Sequence, residues 1–157
     1  GIFGYRNFTI RDKNGEYLVK ANSHWFFFDT EKGTPTKRDR RDIRGYGVGS
    51  EEKLDMEYAP RRIKIPEEHQ EAEPVVVARH HIDTNHHVNN AQYVEIAENC
   101  FRKRFRSREI RVEYQKSAVL GDVIYPRISK DGEATTIALC NREGAPYAVV
   151  WFRCISR

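Results

Sequence analysis

The stretch AQYVEIAENCFRKRF, residues 91–105, decides how this chain folds, because it carries the clearest helical pattern in the sequence. Its apolar side chains recur at spacings of three and four, which predicts an amphipathic helix over Ala91–Phe105. The residues on its apolar stripe are Val94, Ala97, Phe101 and Phe105. Asn89 or Asn90 can cap its start. A helix with so apolar a stripe needs a sheet to cover it.

Segments of alternating polarity follow the helix and predict an antiparallel sheet. Ile110, Val112 and Tyr114 alternate with polar neighbours, which is the pattern of a half-exposed strand. Turns containing glycine divide the remainder into the predicted strands Val123–Lys130, Ala134–Cys140 and Ala145–Ile155. A short apolar strand, Pro74–Ala78, precedes the helix. Residues 74–157 are therefore expected to form an α+β unit, with one helix packed on antiparallel strands.

The N-terminal part of the chain predicts a smaller set of strands. Tyr5–Asp12 and Tyr17–Asp29 flank Asn14-Gly15, a two-residue hairpin signal in which both residues would adopt a positive φ. Glu31–Arg44 is polar and is predicted to be a loop. The aromatic run Trp25–Phe28 is expected to be mostly core, with an apolar tunnel lining as the alternative. The predicted division is a first unit over 1–60, a linker over 61–73 and a second unit over 74–157.

Two turns in the sequence resemble each other. Asp12–Tyr17 and Asn141–Tyr147 have similar residues, and Gly15 and Gly144 are 129 positions apart. Two interpretations stay open: shared hairpin chemistry, which draws on few residue types, or a tandem duplication. On the second interpretation the counterpart of the helix would lie before Gly1, and the first unit would be incomplete.

Composition and charge exclude several classes of protein. The 157 residues carry a net charge of +4, and no apolar run approaches the roughly 20 residues that span a bilayer. Cys100, Cys140 and Cys154 have no CxxC spacing, so they indicate neither a disulfide framework nor a thiolate zinc site. We therefore expect a reducing compartment, the cytoplasm or, in a plant, the plastid.

The polar loop before the helix, His80–Asn90, is the main candidate for chemistry. Asp83, Asn85 and His87 alternate, so their side chains would face one side if the loop were extended. A histidine can transfer a proton near neutral pH, an asparagine amide can hold a carbonyl or a water, and an aspartate can orient either. The alternative is a loop whose side chains only cap the helix and pair with the backbone. A metal site is less favoured, because neither HExxH nor cysteine spacing supports it.

The stretch DTNHHVNNAQY, Asp83–Tyr93, resembles the D-x-N-x-H-V-N-N-x-x-Y signature of acyl-acyl carrier protein thioesterases. Gly15–Asp29 resembles the closing strands of that family's first hotdog repeat, Arg61–Pro66 its inter-repeat linker, and Pro74–Arg157 its second repeat. The resemblance implies a tandem hotdog fold whose first repeat lacks its N-terminal part. It also implies hydrolysis of fatty acyl-acyl carrier protein, ending chain elongation, without a cofactor or metal.

The resemblance also implies the residues of the site. Asp83, Asn85 and His87 match the family's catalytic positions. Ser117 and Ala118 stand where many members have a Glu followed by a Cys, so a cysteine nucleophile is impossible there and water is the expected nucleophile. The further candidate contributors are Ser117, Asn89 and Asn90.

Two basic clusters offer a docking surface for an acidic acyl carrier protein, with a solvated basic face as the alternative. Their residues are Arg38, Arg40, Arg41, Arg102, Lys103 and Arg104. Nucleic acid is not an expected partner, because the clusters lack interleaved stacking aromatics and any motif. A membrane is not expected either, because the apolar runs are too short to span one. A homodimer, or pairing of the two repeats, is expected. The alternative functions are a hotdog thioesterase acting on acyl-coenzyme A, and a non-catalytic protein that binds acyl groups or the carrier.

Overall fold

The computed structural model describes residues 3–29, 31–36, 53–101 and 105–155 of the chain. The chain divides into two compact units, Gly1–Arg61 and Arg62–Arg157. No helix in the described ranges is long and apolar enough to cross a bilayer.

The first unit is a three-stranded antiparallel sheet. Its strands are β1 (Phe3–Arg11), β2 (Tyr17–Asp29) and β3 (Thr34–Thr36), in the order β1-β2-β3. The two predicted strands are confirmed. The prediction of loop was wrong for β3, a short edge strand in which two threonines suit the extended backbone and an edge position tolerates Pro35.

The turn between β1 and β2 differs from the predicted two-residue hairpin. Gly15 alone in this turn has a positive φ, +90°. The carboxylate of Asp12 accepts hydrogen bonds from the backbone N–H groups of Asn14 and Glu16, both at 2.9 Å. This side-chain acceptor stabilises a longer turn, so Asn14 need not adopt the left-handed conformation.

The aromatic run of β2 is exposed, so the prediction that Trp25–Phe28 is mostly core was wrong. No helix lies among the described residues of this unit to cover the sheet. Arg6 instead lies over the Trp25 ring, with its guanidinium carbon 4.8 Å from the ring centroid.

The second unit combines one α-helix with antiparallel strands, which confirms the α+β class. Its elements are β4 (Gln70–Glu71), β5 (Val75–Val76), a 3-10 turn (Arg79–His81), α1 (Asn90–Asn99), β6 (Ser107–Tyr114), β7 (Val123–Asp131), β8 (Ala134–Cys140) and β9 (Pro146–Cys154). The sheet order is β4-β7-β8-β9-β6, and β5 also pairs with β7. Each strand pair is antiparallel.

Helix α1 is shorter than predicted, because it ends at Asn99 rather than Phe105. The N–H of Cys100 bonds back to the carbonyls of Ala97 and Glu98, which tightens and closes the last turn. Phe101 lies beyond this cap and Phe105 is also non-helical. Their apolar spacing reflects a shared core rather than a continued helix.

The core of the second unit lies between α1 and the sheet. Tyr93, Ile96 and Ala97 are the buried residues of the helix. Phe101 and Phe105 stack at 3.8 Å between ring centroids, and both meet Phe152 edge-on at 5.3 Å. This packing fixes α1 against the sheet and so fixes the loop that precedes α1.

Residues 62–71, most of the predicted linker, pack along the second sheet. The Ile63 N–H donates to the Glu113 carboxylate at 2.8 Å, and the Ser129 hydroxyl donates to the Glu68 carbonyl at 2.7 Å. Strand β4 then pairs with β7. This segment is therefore part of the second unit rather than a free tether.

Candidate active site

The loop that carries the predicted site, Ile82–Val88, is a closed turn and not an extended segment. Ile82 and Val88 form an antiparallel bridge across its base. The Asp83 N–H donates to the His87 carbonyl at 2.8 Å, and the His86 N–H donates to the Asp83 carbonyl at 3.1 Å. The loop is therefore not extended, and the condition under which alternate side chains would face one side is not met.

Asp83 organises this turn through its carboxylate. Its Oδ1 accepts the backbone N–H of Asn85 at 2.8 Å and that of His87 at 3.3 Å. The structure thus brings the three candidate catalytic residues together in one turn. The Asp83 side chain bonds to the backbones of Asn85 and His87, and the side chains of these two residues are exposed.

His86 has the left-handed backbone conformation, with φ of +62°, and no other described non-glycine residue has a positive φ. Such a conformation costs roughly 1–3 kcal/mol for a side chain with a Cβ. Histidine is among the residue types that adopt it more readily. The turn therefore holds backbone strain between Asn85 and His87, the two residues proposed to meet substrate.

The N-terminus of α1 closes the other side of the site. Asn89 is the N-cap, and its Oδ1 accepts the Ala91 N–H at 2.9 Å. The Asn90 N–H donates to no acceptor among the described residues. Asn89 therefore acts as a helix cap, while the Asn90 N–H remains available to an anionic group at the positive end of the helix.

The segment after β6 lies directly against the Ile82–Val88 turn, which we call the signature turn. The Val88 N–H donates to the Ala118 carbonyl at 2.9 Å. Ala118 is fully buried, whereas Ser117 is exposed. This bond joins the peptide that follows His87 to the segment carrying Ser117, although about 30 residues separate them in sequence.

Tyr93 is a residue of the site that sequence reasoning missed. Its hydroxyl accepts the Ala118 N–H at 2.8 Å, and its ring is buried. Burial raises the pKa of Tyr93, and the nearby charges of Asp122 and Asp83 raise it further, while the bond from Ala118 lowers it. Tyr93 is the last residue of the D-x-N-x-H-V-N-N-x-x-Y signature, but the signature by itself assigned it no role in the site.

His81 has a structural role beside the turn. Its Nδ1 accepts the Ala78 N–H at 2.9 Å, and its carbonyl accepts the Asn89 N–H at 2.9 Å. Burial lowers the pKa of His81, and the charge of His80, whose ring centroid lies 4.0 Å from that of His81, lowers it further. The neutral form, whose Nδ1 can accept, is thus the form that accepts the Ala78 N–H.

The structure describes many of the possible metal ligands but none of the predicted docking cations. In the part of the chain that the structure describes, no group of three or more His, Cys, Asp or Glu residues could hold a metal ion. The predicted docking cations lie outside the described residues: Arg38, Arg40, Arg41, Arg102, Lys103 and Arg104.

Comparison with known proteins agrees with this architecture. Residues 64–150, which include the whole candidate site, match the family model of the acyl-ACP thioesterase C-terminal domain, where ACP is acyl carrier protein. A search of the curated proteins found no significant match.

Two solved structures resemble the chain over nearly its whole length. An acyl-ACP thioesterase from Bacteroides thetaiotaomicron is 20% identical with a TM-score of 0.84, covering 98% of this chain and 63% of that one. A 12:0-ACP thioesterase from Umbellularia californica is 17% identical with a TM-score of 0.77, covering 99% of this chain and 63% of that one. The chain thus spans less than two thirds of either structure. The likeness shows the fold, which is the hotdog.

Proposed function

Because this chain belongs to the acyl-ACP thioesterase family, we propose that it hydrolyses the thioester of fatty acyl-ACP. The products are a free fatty acid and the free carrier thiol, which would terminate fatty acid synthesis. The observation that carries the proposal is the bond from Val88 to Ala118. It joins the signature turn, the start of α1 and the Ser117 segment into one polar site.

The N-terminus of α1 suits the carbonyl of a thioester. Attack on that carbonyl places negative charge on its oxygen, and the Asn90 N–H is available to donate a hydrogen bond to that oxygen. The helix dipole adds positive potential at the same end. We therefore place the carbonyl oxygen at the Asn90 N–H.

Water is the nucleophile in this scheme. Asn85 and His87 hold the carbonyl and the attacking water, and His87 takes the water proton as oxygen bonds to the carbonyl carbon. The carbon–sulfur bond then breaks, and the proton passes to the departing sulfur. Asp83 holds both residues by their backbone N–H groups, so it positions the pair.

The cysteines of the described chain support water over a thiolate. Burial raises the pKa of Cys100 to about 11 and also raises the pKa of Cys140. A thiol in that state is a poor nucleophile at neutral pH. Neither residue lies in the signature turn, and Ala118 occupies the position of the family's cysteine.

The chemistry of the cysteines also bears on location and partner. Cys100, Cys140 and Cys154 are free thiols, which suits a reducing compartment such as the cytoplasm or, in a plant, the plastid. The proposed partner is acyl carrier protein, which enters as the substrate.

The direct test is release of free thiol from a long-chain acyl-ACP. We expect turnover well above background, and His87→Ala should lower it by about 100-fold or more, on the usual scale for a general acid–base. His69→Ala is the matched control, because His69 is exposed and its ring nitrogen pairs with the Glu67 carbonyl in its own segment. Near-full activity of His87→Ala would remove His87 from the chemistry.

Two other outcomes would change the assignment. Faster release from an acyl-coenzyme A ester would make the protein a coenzyme A thioesterase. Tight binding of acyl-ACP without turnover would identify a binding protein. If acyl-ACP binds without turnover, Ser117 is the residue to change, because it stands where many members of the family have a glutamate. Ser117→Glu should then restore turnover.

A further inference from the structure

We propose that Tyr93 is a positioning residue whose hydroxyl holds the Ser117–Ala118 peptide in register with the signature turn. This inference rests on the proposed function, since it assigns a role within the same site. Tyr93 touches neither the proposed carbonyl position nor the proposed water. It acts on them through the backbone of Ala118.

The Ala118 residue is held from two sides. Its N–H donates to the Tyr93 hydroxyl at 2.8 Å, and its carbonyl accepts the Val88 N–H at 2.9 Å. The first bond comes from the start of α1 and the second from the turn that contains His87. Two elements that are distant in sequence therefore determine one peptide position.

The bond to Tyr93 also fixes Ser117. The Ala118 N–H belongs to the peptide bond that begins at the Ser117 carbonyl, so holding that N–H sets the plane of the Ser117–Ala118 peptide. Ser117 is exposed while Ala118 is fully buried. Ser117 is thus an exposed residue whose backbone position is fixed by the hydrogen bonds of its buried neighbour. A side chain that positions a water needs such a fixed backbone.

Among the described residues, the Tyr93 hydroxyl is the one acceptor for the Ala118 N–H. Ala118 is fully buried, so its N–H would be left without a partner and without solvent if the hydroxyl were removed. The Tyr93 ring packs in the core cluster, and this packing fixes the position of its hydroxyl relative to the sheet. Phenylalanine at this position would keep the packing and lose the anchor.

Tyr147 offers a matched control. Its hydroxyl lies 3.2 Å from Asp122 Oδ2, at the far end of the segment that begins with Ser117. Tyr147 is also buried and belongs to the same core cluster. Tyr147→Phe therefore makes the same chemical change in the same core and leaves both hydrogen bonds of Ala118 in place.

The first measurement is steady-state thiol release from acyl-ACP by Tyr93→Phe, Tyr147→Phe and the unmodified protein. We expect kcat of Tyr93→Phe to fall about tenfold, as for the loss of one buried hydrogen bond, with KM within about twofold. Tyr147→Phe should keep kcat within about twofold. An unchanged kcat in Tyr93→Phe, or an equal fall in both variants, would overturn the proposal.

The second measurement does not depend on turnover. Amide hydrogen exchange should show protection at Ala118 and Val88 falling about tenfold in Tyr93→Phe, while amides in the middle of β8 and β9 keep theirs. If the unmodified protein releases no thiol, the proposed function fails and exchange alone decides the positioning role. Unchanged protection at Ala118 in Tyr93→Phe would then overturn it.

Discussion

The β1–β2 and β8–β9 hairpins have the same turn. In each, an Asp or Asn side chain accepts the backbone N–H four residues ahead, from Asp12 at 2.9 Å and from Asn141 at 2.8 Å. Gly15 and Gly144 occupy the same place in the turn, with φ of +90° and +85°. Local chemistry has therefore produced one turn twice.

The register of the two hairpins is also the same. Ile10 pairs with Val19 and Leu139 pairs with Ala148, and in both hairpins an irregularity follows at the next residue. Loop length and turn type fix the register of a hairpin, so the shared register follows from the shared turn.

Burial separates the two hairpins. Ile10 is 57% exposed and Val19 48%, whereas Leu139 and Ala148 are fully buried. Helix α1 belongs to the core that covers the second pair. The comparison teaches that turn chemistry specifies a hairpin, while its stability depends on what packs against it. The division into a first repeat over 1–60, a linker over 61–73 and a second repeat over 74–157 stays a prediction.

The largest expected difference concerns the paired aliphatic residues. Leu139→Ala should lower the free energy of unfolding by about 2–5 kcal/mol, because it leaves a cavity in a closed core. Ile10→Ala should change it by less than about 0.5 kcal/mol. Urea unfolding can be followed in each unit separately, because Trp25 lies in β2 and Trp151 in β9. Trp151→Phe and Trp25→Phe backgrounds isolate the two signals, and equal losses in both units would contradict the comparison.

A smaller difference is expected at the turn glycines. Alanine at either position would be forced into the left-handed conformation, at about 1–2 kcal/mol. A Cβ at Gly144 would also lie 2.8 Å from Arg127 Nη1, whereas a Cβ at Gly15 would meet open space. Gly144→Ala should therefore destabilise its unit more than Gly15→Ala does, by less than about 1 kcal/mol, because the contact is with the end of a side chain that can shift. Gly144→Ala combined with Arg127→Ala should remove the excess, and persistence of the excess would exclude the contact.

Acid should weaken the unit that contains the buried hairpin. Burial lowers the pKa of His81 below its ordinary 6.5, so the unfolded chain takes up the proton first as the pH falls. His81 therefore favours folding fully above about pH 6.5, and stability declines below it by at most about 1.4 kcal/mol per pH unit. His81→Asn can keep the acceptor for the Ala78 N–H without titrating. Unfolding free energies at several pH values, read from Trp151, should show a flatter slope in that variant.

The smallest expected effect concerns the turn acceptors. Asp12→Ala and Asn141→Ala each remove a side-chain acceptor from an exposed turn, so each should lower stability by about 1 kcal/mol. Similar losses would confirm that the two turns are equivalent, and Asp12→Asn should be nearly neutral. A much larger loss of stability in Asn141→Ala than in Asp12→Ala would show that packing also stabilises the turn of the second hairpin.

The sequence predicted the local features well and the packing less well. Tyr17–Asp29 and Ala134–Cys140 were predicted with their observed limits, because alternation and turn residues act over a few positions. The helix was predicted to reach Phe105, because apolar spacing cannot separate a helix from a following segment that packs on the same core. The aromatic run Trp25–Phe28 was predicted as core, because hydrophobicity alone does not say whether a covering element is present.

In the candidate site, too, some features follow from residues close in sequence and others from tertiary packing. The sequence by itself pointed to Asp83, Asn85 and His87 and offered Asn89 or Asn90 as the helix cap, because caps and turns depend on residues a few positions apart, and the structure shows that Asn89 is the cap. The tertiary structure alone decided that the Ser117–Ala118 peptide meets the turn and that Tyr93 holds it. Those bonds join residues about 25–30 positions apart, so they form only when α1 packs on the sheet and brings its first turn to the end of β6.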